Sequence, residues 1–407
     1  MKVLTFSWEY PPVKTGGLGV ACQGLIRRLS RIGIDITLVL PRKQAVDDNF
    51  CNFLFATDCE QILKKQTKRF SYTGVYSQAE TFLQIITGYK SDGTPIIKNR
   101  TFLEEVYSFA YRTEKIVKKV DFDLIHAHDW TSYLAGVTAK MLSGKPLILH
   151  VHATSFDQAG GDNVDPEIYK IEYESFKRAD KIITVSEYTK NMIINKHGVN
   201  PKKIVVIHNG CEWLSGYRGT SSAVFTELKR QGKKIVLYHG RISIQKGVDY
   251  FVRAARLVID VDPNVLFIIS GSGDMMNQII DLVGRLRLSE YVKFAGPLWG
   301  KERDEIYHMA DLLVMPSVSE PFGLVPLEAL QYDTPTIISK QSGVAEVLTH
   351  TLKADFWDTE ELANKILAGL KYKTLHRQLV VSGKEQIRGL SWEKVSEKVK
   401  AVYKKLV

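Results

Sequence analysis

Glu320 and Glu328 bracket a short turn, Pro321-Phe322-Gly323-Leu324-Val325-Pro326-Leu327, with seven residues between them. Asp311 to Pro316 is an apolar run that reads as a buried parallel strand, and Thr334 to Ser339 reads as another, so the turn joins a strand to a helix. Pro326 suits the first helical position, where a missing N–H costs nothing. The free amides of Gly323, Leu324 and Val325 then form a seat for an anion, flanked by two carboxylates that can reach different hydroxyls of one polar ligand. A first helical turn also favours Glu328 for its dipole, and Gly323 can serve the turn alone, so other motifs must decide between chemistry and architecture.

A comparable seat opens the chain. Val3 to Ser7 reads as a strand, Glu9 to Gly19 as a loop opening a helix through Ser30, Gly33 as its cap, and Ile34 to Leu40 as a second strand. Lys14 adds positive charge to Gly16 and Gly17, whose missing Cβ lets backbone amides approach a phosphate. Such a β-α-β unit implies a parallel sheet with ligands at the carboxyl ends of its strands. Polar clusters stand at two such ends. One strand, Phe122 to Ala127, runs into His126-Ala127-His128-Asp129-Trp130, and another, Pro146 to Val151, runs into His152-Ala153-Thr154-Ser155-Phe156-Asp157. Further strands at Asp180 to Val185 and Lys203 to Ile207 close on His208-Asn209-Gly210. Residues 42 to 115 carry weaker patterns, with Ser91-Asp92-Gly93-Thr94-Pro95 suggesting a hairpin ahead of a helix from Phe102 to Val120.

Cys211 to Gly232, rich in Gly, Ser and Thr, reads as a passage between domains, after which the alternation restarts. Ile235 to His239 is its first strand, Gly240 to Gly247 a glycine-bounded loop holding Arg241 and Lys246, and Val248 to Ile259 its helix. Ser270-Gly271-Ser272-Gly273-Asp274 lacks the full spacing of a dinucleotide fingerprint and opens no chain-starting β-α-β unit, which argues against a dehydrogenase. At the chain's end Ser391 suits an N-cap, and Trp392, Val395, Val399, Val402 and Leu406 form a helical apolar stripe suited to packing.

Composition narrows the classes. A length of 407 residues accommodates two ordinary domains, and a hydrophobic share of 44% with 25% charged residues is that of a globular chain rather than a disordered or fibrous one. The formal charge of +10 favours anionic partners, phosphorylated ligands or an anionic membrane face among them. The basic residues are scattered without aromatic interleaving, which argues against nucleic acid. Cys22, Cys51, Cys59 and Cys211 show neither a C-x-x-C pair nor metal-ligand spacing, so no zinc site or disulfide framework is expected. A reducing cytoplasmic location fits, since the N-terminal apolar run is too short for a signal peptide. The sequence carries no signal for an oligomeric state.

Taken in order, the Lys14-Thr15-Gly16-Gly17-Leu18 loop, the His126 to Trp130 cluster, Gly240-Arg241 with Lys246-Gly247, and Glu320-Pro321-Phe322-Gly323-Leu324 through Glu328 resemble the retaining nucleotide-sugar glycosyltransferases of the two-domain GT-B kind. The likeness is to the glycogen and starch synthases and glycosyltransferase family 4. It implies an α/β fold of two Rossmann-like domains facing a central cleft. An acceptor-side domain would span 1–212, a donor-binding domain 213–390, and a C-terminal helix over 391–407 would pack back on the first domain.

By the same resemblance Arg241 and Lys246 hold the donor diphosphate, His152 meets the donor sugar near its anomeric carbon, and Glu320 binds sugar hydroxyls. Gly16 and Gly17 serve the distal phosphate, Lys14 is a further donor contact on the sugar side, and Gly323, Leu324 and Glu328 bind the donor, with Glu328 on the ribose. Glu9, Asp129 and Asn209 lie on the sugar or acceptor side. No cofactor and no metal is expected, because Arg and Lys serve the diphosphate. The implied reaction is transfer of glucose from ADP- or UDP-glucose to an α-glucan. A lipid or cell-surface glycan acceptor, and an epimerase or non-catalytic binder on the same fold, are the alternatives. Gly19 and Val20 replace the Ala-Asp-Val usual in bacterial glycogen synthases, and Ser155 stands where many similar enzymes carry an acid, which leaves the acceptor and the ADP, UDP or GDP donor open.

Overall fold

The computed structural model describes residues 1–12, 16–46, 48–59, 83–89, 95–212 and 223–407. Lys14 and the 213–222 portion of the expected interdomain passage lie outside these residues.

The N-terminal half supplies β1 (Lys2–Phe6), α1 (Gly17–Arg31), β2 (Asp35–Leu40), β3 (Asn52–Phe55), β4 (Leu83–Tyr89), β5 (Pro95–Arg100), α2 (Phe102–Val117), β6 (Leu124–His128), α3 (Trp130–Ser143), β7 (Leu147–Val151), α4 (Ser155–Ala159), α5 (Pro166–Arg178), β8 (Lys181–Thr184), α6 (Glu187–His197) and β9 (Ile204–Val206). Seven of these strands form one parallel sheet in the order β3-β2-β1-β6-β7-β8-β9, and β4 and β5 form the antiparallel pair that the Ser91 to Pro95 signal suggests. Gly33, at φ 85°, ends α1, and the Ile34 amide reaches back to the Leu29 carbonyl as a Schellman closure requires.

The C-terminal half supplies α7 (Ala223–Arg230), β10 (Lys234–His239), α8 (Val248–Val261), β11 (Val265–Ser270), α9 (Met276–Arg285), β12 (Val292–Gly296), α10 (Lys301–Met309), β13 (Leu312–Met315), α11 (Val325–Gln331), β14 (Thr336–Ser339), β15 (Leu352–Ala354), α12 (Thr359–Lys371), α13 (Lys373–Arg388) and α14 (Trp392–Tyr403). Its six strands lie parallel in the order β12-β11-β10-β13-β14-β15. Two expectations shift here. The Gly, Ser and Thr-rich stretch read as a passage contains the helix α7, and Pro326 occupies the second position of α11 rather than the first.

The central strands, β6 and β7 in the first sheet and β11 in the second, are buried along their whole length, as strands covered on both faces of a parallel sheet must be, while the edge strands β3 and β12 are partly open. In both sheets, strand order reverses direction beside the first strand, between β1 and β6 and between β10 and β13. Those reversals open crevices at the carboxyl ends, where α/β folds bind ligands. The chain's last helix returns to the first domain. Trp392, Val395, Val399, Val402 and Tyr403 are buried in one cluster with Leu18, Ala21, Leu25 and Leu29 of α1, and Ser391 caps α14 by accepting from the Lys394 amide. The fold is therefore two Rossmann-like domains with the terminal helix packed back on the first.

Candidate active site

The described residues that the sequence marks for chemistry all follow the carboxyl ends of strands in the two parallel sheets. In the C-terminal sheet the loop after β10 carries Arg241 and Lys246, and the loop after β13 carries Glu320. The two loops close on each other because Gly247 has φ 63° and no side chain: a Cβ there would lie 2.1 Å from the Pro316 carbonyl oxygen. The Gln245 carbonyl then accepts from the Val318 amide at 2.9 Å. As a result Lys246 Nζ sits 2.5 Å from Glu320 Oε2, with the ammonium 24% and the carboxylate 9% exposed. Ser317 Oγ donates to the same carboxylate oxygen at 3.1 Å. Arg241 donates through Nη2 to Gln245 Oε1 at 3.1 Å, and its own carbonyl accepts from the Tyr238 hydroxyl at 2.6 Å.

Gly323 (φ 101°) and Leu324 make the turn into α11, and Glu328 stands in its first turn. The Glu328 carboxylate accepts from the Tyr307 hydroxyl at 2.8 Å and faces Arg303 at 3.9 Å. Neither Tyr307 nor Arg303 is marked by any motif. Both come from α10, and the only sequence signal for them is its amphipathic spacing.

In the N-terminal sheet Gly16 and Gly17 form the start of α1 beside Glu9: a Cβ on Gly16 would lie 4.0 Å from Glu9 Oε2, and one on Gly17 would meet open space. The ends of β6 and β7 place four imidazoles on one face, since His128 pairs with His150 in register and His126 and His152 each lie two residues along. His150 stacks on His152 with centroids 4.4 Å apart and on His128 at 5.1 Å, and His126 lies 4.3 Å from His128. His128 Nδ1 and His152 Nε2 are 3.0 Å apart, one donating to the other. Burial first, and then mutual repulsion, holds His126, His128 and His150 far below the usual imidazole range, and burial lowers His152 to about 3. These are neutral imidazoles at working pH.

Asp129 joins two strand ends. It stands at the N-cap position of α3 at φ 59° and ψ 164°, a strained conformation for a residue with a side chain, and its carboxylate makes no bond within the cap but accepts from the backbone amides of His152 at 2.6 Å and Ala153 at 3.2 Å. Burial pushes this carboxyl well above its ordinary range. Asp129 therefore clamps the loop after β7 to the end of β6 and fixes His152. Ser155 finds its acid from another element: Glu172 of α5, unmarked by any motif, accepts from the Ser155 amide at 2.8 Å and from its hydroxyl at 2.6 Å. Asn209 and Glu9 are both buried, at 6% and 2% exposure.

The two crevices face each other and touch. Ser186 Oγ, at the start of α6, donates to the Pro321 carbonyl at 2.6 Å. Glu346 of the second domain accepts from the first two amides of α6, Glu187 at 3.0 Å and Tyr188 at 2.7 Å, and meets His208 Nε2 at 2.7 Å. A cavity of about 140 Å³ between the domains is lined by Arg27, Arg28, Glu212, Arg303, Glu328 and Trp392 among others.

Comparison with known proteins agrees with this geometry. Residues 15–212 match the model for glycosyltransferase family 4, and residues 222–386 match glycosyl transferases group 1. An uncharacterized glycosyltransferase of Methanocaldococcus jannaschii is 27% identical over 99% of this chain and 98% of its own length. The glycogen synthase of Mycobacterium tuberculosis is 26% identical over 86% of this chain and 80% of its own. Among solved structures, sucrose-phosphate synthase from Thermosynechococcus elongatus superimposes with a TM-score of 0.75 at 20% identity, over 100% of this chain and 99% of that one. Anabaena HepE in complex with UDP-glucose gives 0.70 at 17% identity, with both chains covered completely. The chain belongs to the GT-B glycosyltransferases of the family 4 type and is a transferase of sugar groups.

Proposed function

We propose that this glycosyltransferase is a retaining enzyme that moves glucose from ADP- or UDP-glucose to an α-glucan, as a glycogen synthase does. The observation that carries the reading is the Lys246 to Glu320 contact at the second crevice. Lys246 and Arg241 would neutralise the diphosphate as the bond from the anomeric carbon to phosphate breaks, where fixed positive charge lowers the barrier most. Glu320 would accept from donor-sugar hydroxyls. Glu328, Gly323 and Leu324 would hold the nucleoside end, and the amides of Gly16 and Gly17 the distal phosphate.

His152, held neutral, is suited to a hydrogen bond with a sugar hydroxyl and poorly suited to general acid work at neutral pH. Retention then follows from attack on the face the phosphate leaves, with the leaving phosphate taking the acceptor proton, and no carboxylate nucleophile is required, in contrast with retaining glycosidases. No metal is invoked, since the cations at the diphosphate are side chains. Closure of the domains would exclude water that otherwise hydrolyses the donor.

Support for the donor class comes from HepE, solved with UDP-glucose, and support for the acceptor from the glycogen synthase relative. Among the described residues no helix is long and apolar enough to cross a membrane. The +10 charge supports the second reading, a lipid or cell-surface glycan acceptor met at an anionic surface. Incubation with radiolabelled sugar nucleotides and glycogen decides: label in the polymer supports the glucan reading, and an unlabelled polymer overturns it. A donor sugar altered without any acceptor would mark an epimerase instead.

A further inference from the structure

One chain of hydrogen bonds crosses between the domains directly beside Glu320. It starts at Asp157, the third residue of α4, whose side chain is completely buried. Oδ2 of this carboxylate closes the helix, accepting from the Thr154 amide at 2.7 Å and the Thr154 hydroxyl at 2.8 Å. That satisfies the capping box with one oxygen. The other oxygen, Oδ1, leaves the domain: Ser319 Oγ donates to it at 2.5 Å across 162 residues of sequence. The Tyr188 hydroxyl, at the start of α6, lies 2.9 Å from the same Ser319 oxygen.

Ser319 is the residue before Glu320, and Pro321 after it is held from the first domain by Ser186. The residues on both sides of Glu320 are therefore gripped by the opposite domain, while the Glu320 carboxylate holds Lys246 and Ser317 within its own. Capping a one-turn helix needs one oxygen of a small side chain. A completely buried carboxylate is an expensive way to supply it, and burial pushes this one up to about 6 against the pull of Ser319 and Thr154, with Glu172 of α5 adding to the rise. What the carboxylate adds over a plain cap is the cross-domain bond.

We propose that Asp157 is a positioning residue for sugar transfer: through Ser319 its carboxylate sets Glu320, and with it Lys246, in the working geometry when the two domains are closed. The inference rests on the roles given above to Glu320 and Lys246. It differs from them in placing part of the donor site's alignment in the acceptor-side domain, so that a donor bound to an open molecule meets a misaligned Glu320.

The clean probe is Ser319→Ala, which leaves the α4 capping box intact and removes only the bonds of the Ser319 hydroxyl to Asp157 and Tyr188. With UDP-glucose, ADP-glucose and glycogen, S319A and D157N should each lose about tenfold or more in kcat/KM, and the double variant should fall no further than D157N alone, as coupled groups do. Melting of S319A should stay within a few degrees of the parent. Full activity in S319A, or strictly additive losses in the double variant, overturns the proposal. So does a loss confined to D157N and matched by a drop in its melting temperature, which would make Asp157 a helix cap and nothing more. Small-angle scattering of the ligand-free proteins reads the same bond without turnover: S319A should be more extended than the parent, and identical curves contradict the proposal. A parent protein that transfers no sugar to any acceptor would count against the transferase roles alone, since the scattering comparison still tests the Asp157 to Ser319 tie.

Discussion

Lys246 Nζ and Glu320 Oε2 stand 2.5 Å apart although 74 residues separate them, brought together where strand order reverses in the second sheet. An ammonium that must serve a diphosphate and a carboxylate that must serve sugar hydroxyls are thus paired before any ligand arrives. Each is pre-oriented by the other, and a donor would find both in place.

Glu320→Gln tests that division of labour. Gln keeps the shape but surrenders the charge that orders Lys246 and accepts from hydroxyls. A charge-assisted hydrogen bond is worth about 1.5–3 kcal/mol, so kcat/KM for the sugar nucleotide should fall about 10- to 100-fold. Affinity for the free nucleoside diphosphate, which offers no sugar, should hold within about threefold by calorimetry. Equal losses for both ligands would place Glu320 on the nucleotide instead.

The histidine array sets a sign for the pH dependence of stability. His126, His128, His150 and His152 have folded-state values below the ordinary 6.5. The unfolded chain therefore binds protons first as pH falls, and stability is full above about 6.5 and declines below it. Each such group withdraws about 1.4 kcal/mol per pH unit in that window. His150→Gln should flatten the decline in denaturation midpoint measured from pH 7 to pH 5, and an unchanged slope would contradict the burial argument.

Metal removal tests the claim that side-chain cations suffice at the diphosphate. Ligand atoms of Cys22, His128 and His152, and separately of His126, His128 and His150, lie within 4.8 Å of one another, close enough to invite the question. Dialysis against EDTA should leave the transfer rate unchanged. A loss restored by one divalent ion would assign a metal role to this array.

The return of the C-terminal helix is a packing prediction. A Cβ on Gly24 would lie 2.4 Å from the Trp392 ring, so α1 and α14 meet only because that position lacks a side chain. Gly24→Ala should cost about 1–3 kcal/mol by overpacking, and Trp392→Ala about 3–5 kcal/mol by the cavity it leaves. Chemical denaturation reads both, and G24A at parental stability would contradict the contact.

Much of this fold is legible from the chain because parallel strands are buried on both faces and appear as unbroken apolar runs, as at Ile235 to His239 and Pro146 to Val151. The site loops are legible for the same reason, since ligands gather at the ends of those runs. β3 escapes because it is a four-residue edge strand with one exposed and three half-covered residues, and α7 because Gly, Ser and Thr around it read as a linker. Asp157 is visible as a strand-end carboxylate, but Ser319, Ser186 and Glu346 form their ties across 135 to 162 residues with no local pattern to announce them. Asp129 illustrates a subtler limit: its place at a strand end is plain, yet only the folded backbone reveals that its carboxylate is spent on the amides of His152 and Ala153.

The measurement closest to the central claim is single-turnover transfer from radiolabelled UDP-glucose and ADP-glucose by the parent protein and by Lys246→Ala. If Lys246 neutralises charge as the sugar–phosphate bond breaks, K246A should lose about 100- to 1,000-fold in kcat. Its melting temperature should stay near the parent's, because the Lys246 to Glu320 pair lies partly open to solvent. An unchanged kcat in a well-folded K246A would contradict the account.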